Sequence, residues 1–381
     1  MDLDSRYPAL SDLKARARRR VPHFVWEYLD SGTGTEAAVR RNREALDAIL
    51  FRPSILHGEM VPDLSCTLMG QAYPLPFGIA PVGTSGVLWP DAERKLARLA
   101  GEVGIPYGLS TVATRTPEET GPLAKGHGWF QLYPPRQVDV RKDMLSRAWN
   151  AGFRKLVLTV DVPANSRRER QVRGGLAQPI RMTPRLLWQM ARCPAWSAGI
   201  ARLGRPRMKL IESYSKAAGS LSSVAHVGTL LRTSPDWAYL RWLRAHWEGE
   251  LVVKGVLRAE DVGPLIDAGV DAIWVSNHAG RQFDGAPAAI HCLPAIRAAA
   301  GPDYPLIYDS GIEGGLDILR ALALGADFVM LGKAFHFGLA AFDEAGAAHV
   351  VNILRKDMES NMCQIGTPRL KDLESALLTP A

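Results

Sequence analysis

Cysteine is scarce in this 381-residue chain, and the four present (Cys66, Cys193, Cys292 and Cys363) are far apart with no CxxC pair. That spacing offers neither a metal-ligand set nor a disulfide framework, so reduced thiols and no metal site are expected. Long apolar runs are missing too. The longest candidate, around residues 316–342, is interrupted by Arg320, Asp327 and Lys333, too often for a membrane span. The opening MDLDSRYPAL lacks the apolar centre of a secretory signal, and a cytoplasmic protein is the expectation. Neither GxGxxG nor a Walker sequence occurs, which leaves nicotinamide on a Rossmann unit and ATP on a P-loop unsupported. Apolar residues are not in short supply. At 47% hydrophobic and 22% charged, the chain has what a core requires, and disorder is not expected over most of its length.

Acidic residues are absent from one stretch. Residues 181–209 hold Arg181, Arg185, Arg192, Arg202, Arg205, Arg207 and Lys209 with no Asp or Glu. Those seven equal the net charge of +7, so the rest of the chain balances at 39 of each sign. Charge confined to one patch, with no recognition motif beside it, argues against nucleic acid. The same stretch carries Leu186, Leu187, Trp188, Met190, Trp196, Ile200, Leu203 and Met208. Cations beside tryptophan and aliphatic side chains suit an interfacial segment on anionic lipid, peripheral on the inner face of the cell membrane. The competing reading is a solvated basic loop or a lid. Pro184, Pro194 and Pro206 forbid one long helix, so short pieces lying flat are expected.

What is present in quantity is a repeat of short apolar runs: FGIA (77–80), PYGL (106–109), WFQL (129–132), LVLTV (156–160), LVVK (251–254), AIWVS (272–276), LIYD (306–309) and FVML (328–331). Helical patterns separate most of them. Parallel strands need such crossovers, so the pattern predicts an α/β protein, a (β/α)8 TIM barrel over about 76–345, within a single domain of 1–381. Helices precede it, at Pro8–Arg20 and in PHFVWEYLDSGTG, with a glycine stop at Gly32. About ninety residues separate strands four and five where thirty or forty are usual, which predicts a long insertion, about 172–235, projecting from a βα loop. The tail after 345 reads as helical, ending near Leu377.

Barrels place chemistry at the C-terminal ends of strands. There stand Gln131 and Tyr133, Thr159 and Asp161, Lys254, Ser276 and His278, Asp309, then Gly332 and Lys333. The glycines of DSGIEGG (309–315) let backbone amides approach an anion, and Gly332–Lys333 adds a cation in the loop where barrels often hold a phosphate. SNHAGRQFD (276–284) sets a histidine and an arginine in one loop, a base suited to neutral pH beside a group that grips carboxylate with two bonds. Taken alone, a loop histidine is more often structural, and Arg168 in SRRER more often a surface charge.

In combination, VWEYLDSG, FQLY, LTVDV…RRER, VVKG, SNHAGRQFDG and DSGIEGGLDILRALALGADFVMLGKA resemble the FMN-dependent α-hydroxy acid oxidase/dehydrogenase family, in order, from about residue 7 to 373. GVLWP, IPYGLST and DWAYLRWLRAHW are similar to its membrane-associated mandelate dehydrogenase branch. The resemblance implies FMN as cofactor, an L-2-hydroxy acid (mandelate-like or lactate-like) as substrate, and a homo-oligomer, tetrameric as relatives commonly are. It implies His278 as base, Asp161 as its supporting carboxylate, and Lys254 beside the flavin where a reduced anion develops. Arg281 and Arg168 would hold the substrate carboxylate with Tyr28 and Tyr133. Pro81, Val82, Gly83, Ser110, Gln131, Thr159 and Ser276 would line the flavin. Asp309, Ser310, Gly311, Ile312, Glu313, Gly332 and Lys333 would surround its ribityl chain and phosphate. The chain departs from the family at four positions. Glu313 and Lys333 stand where many relatives have arginine, so FMN is held more weakly or Glu313 points to solvent. Ala279 replaces a glycine after the histidine. Val112 stands where glycolate oxidase-like relatives have tryptophan, which predicts a preference for bulky hydroxy acids over glycolate. Electrons would pass to a membrane quinone; the alternatives are oxygen as acceptor, or a non-catalytic membrane-binding protein of the same fold.

Overall fold

Each of the eight apolar runs forms a strand: β1 (Phe77–Ile79), β2 (Tyr107–Ser110), β3 (Gly128–Leu132), β4 (Lys155–Thr159), β5 (Glu250–Val256), β6 (Ala272–Val275), β7 (Leu306–Tyr308) and β8 (Phe328–Leu331). In the computed structural model, which describes residues 2–175, 182–215 and 233–378, they pair in chain order, all parallel. β8 returns to β1 with Val329 opposite Phe77, closing a TIM barrel. The strands are short and almost wholly buried because both faces are covered, as parallel sheets require.

Two cores result. Alternate strand residues point inward, where Trp129, Val157, Val252, Trp274, Ile307 and Met330 fill the barrel. The others, such as Ile79, Leu109, Phe130 and Leu156, face the surrounding helices. A hairpin of Cys66–Leu68 and Gln71–Tyr73 closes the floor, with Leu68 and Tyr73 joining the inner core and the Tyr73 ring 5.3 Å from Phe328. Its three-residue strands left no periodicity to detect in the sequence.

The N-terminal helices α1 (Leu10–Arg20), α2 (His23–Asp30) and α3 (Ala37–Asp47) flank the barrel. The helix beginning Pro8–Arg20 in the sequence therefore starts at Leu10, and α2 ends one residue before Ser31, two before Gly32. The last helix runs Lys333–Ile365 with a break at Phe342–Asp343. That break orphans carbonyls, and α1 satisfies them: Arg20 donates to Ala340 O at 2.8 Å and Arg16 to Ala341 O at 3.0 Å. A 3-10 segment, Leu370–Ala376, ends the tail.

Between β4 and β5 the described part of the insertion contains short helices, among them Pro184–Ala191 and Pro194–Leu203. Both begin with proline at the first turn, where its missing N–H costs nothing. Arg181, the first cation of the basic segment, lies outside the described residues. Among the described residues no helix is long and apolar enough to cross a membrane.

Candidate active site

The loop after β6 is built to present His278. Asn42 and Asn277 exchange amide hydrogen bonds at 2.9 and 2.7 Å, and the Asn277 carbonyl oxygen also accepts from Gly280 N. Ser276 Oγ accepts from His278 N at 3.0 Å, and Ser310 Oγ accepts from Ala279 N at 3.1 Å. Held this way, His278 and Ala279 both adopt left-handed backbone (φ 57° and 53°) before Gly280. For Ala279 that conformation costs about 1–2 kcal/mol, which is the physical price of an alanine in a glycine position. Asp161, just past β4, meets the imidazole with its oxygens 3.1 and 3.2 Å from Nδ1. The carboxylate accepts the Nδ1 proton, leaving the Nε2 lone pair for the cleft. Burial would raise the Asp161 carboxyl, but His278 and then Lys254 outweigh it and hold the group below its ordinary value. The approach depends on Gly255, at φ +108° in a β5 irregularity, because a Cβ there would sit 2.6 Å from Asp161 Cβ.

Facing this pair are two guanidiniums with no carboxylate partner among the described residues. Arg281 donates to Ser31 O at 2.7 Å, with its guanidinium carbon 5.5 Å from the Tyr28 ring centre. Arg168 donates to Ser166 Oγ at 3.0 Å and, like His278, has positive φ (45°). Burial, then Arg168, pushes the Arg281 guanidinium down to about 10, still cationic at neutral pH. Burial pushes the Tyr133 hydroxyl up to about 12, so it stays a donor. Tyr28 donates to Gly83 O at 2.8 Å and accepts from Thr84 at 2.9 Å. Two unpaired cations and two phenols beside a base can seat a small carboxylate with its next carbon at the imidazole.

Lys254 anchors the barrel side of the cleft. Its ammonium donates to Asp309 at 2.6 Å and Ser276 at 2.5 Å, while Ser276 donates to the other Asp309 oxygen at 2.5 Å. A second buried chain runs from Ser110 to Gln131 to Thr159, each step 2.9 Å. The cleft itself encloses about 2560 Å³ and is walled by Pro81, Val82, Gly83, Thr159, Lys254 and the 309–313 and 330–334 loops.

These residues fit FMN. Of the two helix N-termini at the far end, that of Gly315–Ala323 is already engaged: Asp357 accepts from Gly315 and Leu316 N, and Asp317 from Glu313 N. Of the amides in the 309–315 stretch that the sequence suggested for a phosphate, those of Asp309, Glu313 and Gly315 are bonded within the protein. The helix starting at Lys333 has no side-chain cap, and Lys333 lies at its first turn, so that end retains free anion-binding capacity. Lys333 donates to Asp30 O at 2.9 Å, and burial, then Arg281, pushes its ammonium down to about 8. Glu313 is 64% exposed, with Lys14 at 4.0 Å, so of the two outcomes expected for this departure the structure has the carboxylate turned outward.

The structure thus brings together His278, Asp161, Lys254, Tyr28, Tyr133, Arg168 and Arg281, with Pro81, Val82, Gly83, Thr159, Asp309, Ser310, Gly311, Ile312, Glu313, Gly332 and Lys333 along the cleft. Ser110, Gln131 and Ser276 are fully buried behind it and reach it through Thr159, Lys254 and Asp309. Thr84 and Asp30 O were not foreseen: Thr84 has no motif of its own, and Asp30 acts through its backbone, which no residue type reveals. The basic segment divides in a way the sequence did not show. Leu186, Met190, Trp196, Ile200 and Met208 line the cleft, Trp196 donating to Val87 O at 2.9 Å, whereas Leu187, Trp188 and Leu203 are exposed. Part of it is therefore active-site wall, as in the competing lid reading.

Comparison with known proteins gives one answer. The family model for FMN-dependent dehydrogenase matches residues 17–380. An L-lactate dehydrogenase of Xanthobacter autotrophicus is 38% identical over 365 residues, 95% of this chain and 94% of that protein. One from Serratia proteamaculans is 36% identical, over 96% and 97%. The crystal structure of a monotopic membrane protein, (S)-mandelate dehydrogenase, superposes with a TM-score of 0.92 at 34% identity, covering 98% of this chain and 99% of that one. The chain belongs to the FMN-dependent dehydrogenase family and is an FMN-dependent 2-hydroxy acid oxidoreductase.

Proposed function

We propose that the chain oxidises an L-2-hydroxy acid bearing an alkyl or aryl side chain to the 2-oxo acid, and delivers the electrons to a membrane quinone. The observation that carries the reading is the Asp161–His278 pair facing the two unpaired guanidiniums of Arg168 and Arg281. Arg281 and Arg168 grip the substrate carboxylate, Tyr133 donates to it or to the hydroxyl, and Tyr28, its hydroxyl bonded to Gly83 O, supports Arg281 with its ring. His278 Nε2 takes a proton from the carbinol, and Asp161 stabilises the imidazolium that results. FMN, when bound, supplies the two-electron acceptor. Lys254, held in place by Asp309 and Ser276, would stabilise negative charge that grows on the flavin, and Lys333 with its helix N-terminus would hold the phosphate.

Room beside the substrate supports an alkyl or aryl group. Gly83 and Val112 line the cleft there, and neither carries a large side chain. The L-lactate dehydrogenase relatives and the mandelate dehydrogenase neighbour both act on acids of this kind, as their names state. Exposed Leu187, Trp188 and Leu203 beside the cleft entrance support contact with a membrane holding the acceptor.

The test is an anaerobic stopped-flow screen following flavin bleaching by glycolate, L-lactate and (S)-mandelate, with reoxidation then measured against a soluble quinone and against oxygen. The expected order places glycolate last in kcat/KM, with the quinone faster than oxygen. Bleaching fastest with glycolate would refute the substrate reading, and faster reoxidation by oxygen would make the enzyme an oxidase.

A further inference from the structure

Helix Pro184–Ala191 of the insertion is a wall shared by two cavities. Leu186 and Met190 face the flavin cleft; Trp188, Gln189, Arg192 and Cys193 face a separate groove of about 580 Å³ against α1 and the start of α2. The remaining walls of that groove include Arg18, Arg19, His23 and Trp26, and no Asp or Glu lines it. Gln189 Oε1 accepts from Phe24 N at 3.1 Å, fastening the helix to α2.

The charge in this groove is uncompensated. Arg18, Arg19 and Arg192 form no ion pair among the described residues, unlike Arg170, which holds Glu27, Asp30 and Glu36 nearby. Two of them lie over indole rings, Arg192 at 4.6 Å from Trp188 and Arg18 at 5.8 Å from Trp26. Three guanidiniums gathered without an acid repel one another, so the arrangement is suited to an anion. Immediately outside, Leu187 and Trp188 are 54% and 60% exposed. Tryptophan favours the headgroup level of a bilayer, and its neighbours here offer both apolar surface and phosphate-binding forks. A cavity of this size holds a small polar ligand rather than a whole lipid.

We propose that this groove seats the phosphodiester headgroup of an anionic phospholipid, with Arg18, Arg19 and Arg192 as its contacts. The inference rests on the membrane reading above and adds to it a specific site, two of whose three arginines come from α1 and not from the insertion. A lipid so held pins the helix that forms one wall of the flavin cleft to the bilayer surface.

The test uses the FMN-loaded enzyme. Monomeric dihexanoyl-phosphatidylglycerol, below its micelle concentration, presents the headgroup without a charged surface, and tryptophan fluorescence reports binding, with Trp188→Phe identifying the responding indole. Saturable binding is expected for the wild type and for an Arg185→Gln/Arg202→Gln control, with at least tenfold weaker binding in Arg18→Gln/Arg19→Gln and in Arg192→Gln. The phosphatidylcholine analogue should not bind. Sedimentation with phosphatidylglycerol vesicles should show a roughly tenfold or larger loss of partitioning in the Arg18→Gln/Arg19→Gln variant. Inorganic phosphate binding as tightly as the lipid would overturn the lipid assignment, as would groove variants that bind like wild type. Vesicle binding that survives the groove variants at full strength would refute the groove and leave the membrane reading standing. Binding of the monomeric lipid by an enzyme that ignores vesicles would do the reverse.

Discussion

Asp161→Asn isolates the support that the carboxylate gives to His278. Asparagine keeps the volume and can still accept the Nδ1 proton, so the variant removes charge with little loss of packing. The closest oxygen stands 3.1 Å from Nδ1, where two unit charges at an effective dielectric of ~20 attract by about 5 kcal/mol. The side chains are 20% and 14% exposed, so solvent screens part of this, and about 3–4 kcal/mol is left for the imidazolium. The ordinary state gains little from that attraction, because His278 carries its full charge only after taking the substrate proton. The loss therefore falls on the rate: flavin bleaching should slow by roughly two to three orders of magnitude. Lys254 also feels Asp161, and once the carboxylate is neutral it opposes the new imidazolium, pushing the effect toward the larger end. FMN content and substrate affinity should change little, since the carboxylate grip is proposed for Arg168 and Arg281. Anaerobic stopped-flow at saturating substrate measures the rate directly. A bleaching rate within threefold of wild type would show that Asp161 is not the counter-charge.

Other perturbations follow from single groups. His336, buried between Gly332 O and Ser85 Oγ, has its imidazole pushed down to about 4 by burial. Its folded value lies below the unfolded 6.5, so the unfolded chain binds the extra proton and stability is lost as pH falls from 6.5 toward 4. At pH 5 that loss is about 2 kcal/mol; His336→Leu should remove it, seen as a smaller pH 7 to pH 5 drop in urea midpoint, and an unchanged drop would refute the assignment. Ala279→Gly relieves a left-handed alanine at about 1–2 kcal/mol while adding chain entropy of about 0.4–1 kcal/mol, so the variant should be about 0.5–1 kcal/mol more stable. A lower urea midpoint would contradict it. Lys333, at about 8, loses its charge as pH rises, so FMN affinity of the stripped enzyme should fall roughly tenfold from pH 7 to pH 9. Lys333→Arg should abolish that dependence in a flavin fluorescence titration, and equal slopes would exclude Lys333 from the phosphate end.

The barrel was legible in the sequence because parallel strands must be buried on both faces, which writes each one as a short apolar run, and because each return needs a helix. Strand ends were legible for the same reason: Lys254, Asp309 and Thr159 interrupt apolar runs where no plain core would tolerate them. Residue types at those ends, taken with the family motifs, located His278, Asp161 and the two arginines as candidates. What no local pattern holds is distance between segments far apart in the chain. Gly255 reads as one glycine among 35 until Asp161, ninety-odd residues earlier, is seen to need its missing Cβ. The amides of 309–315 look alike as anion donors until Gly315 is found bonded to Asp357, on the last helix, and Glu313 to Asp317. The basic segment reads as one amphipathic stretch, yet only packing against α1 and the barrel decides that Leu186 and Trp196 turn inward while Leu187 and Trp188 stay out. Composition and periodicity determined which chemistry could be present; the tertiary contacts, by spending some polar groups on each other and leaving others unpaired, decided where it can act.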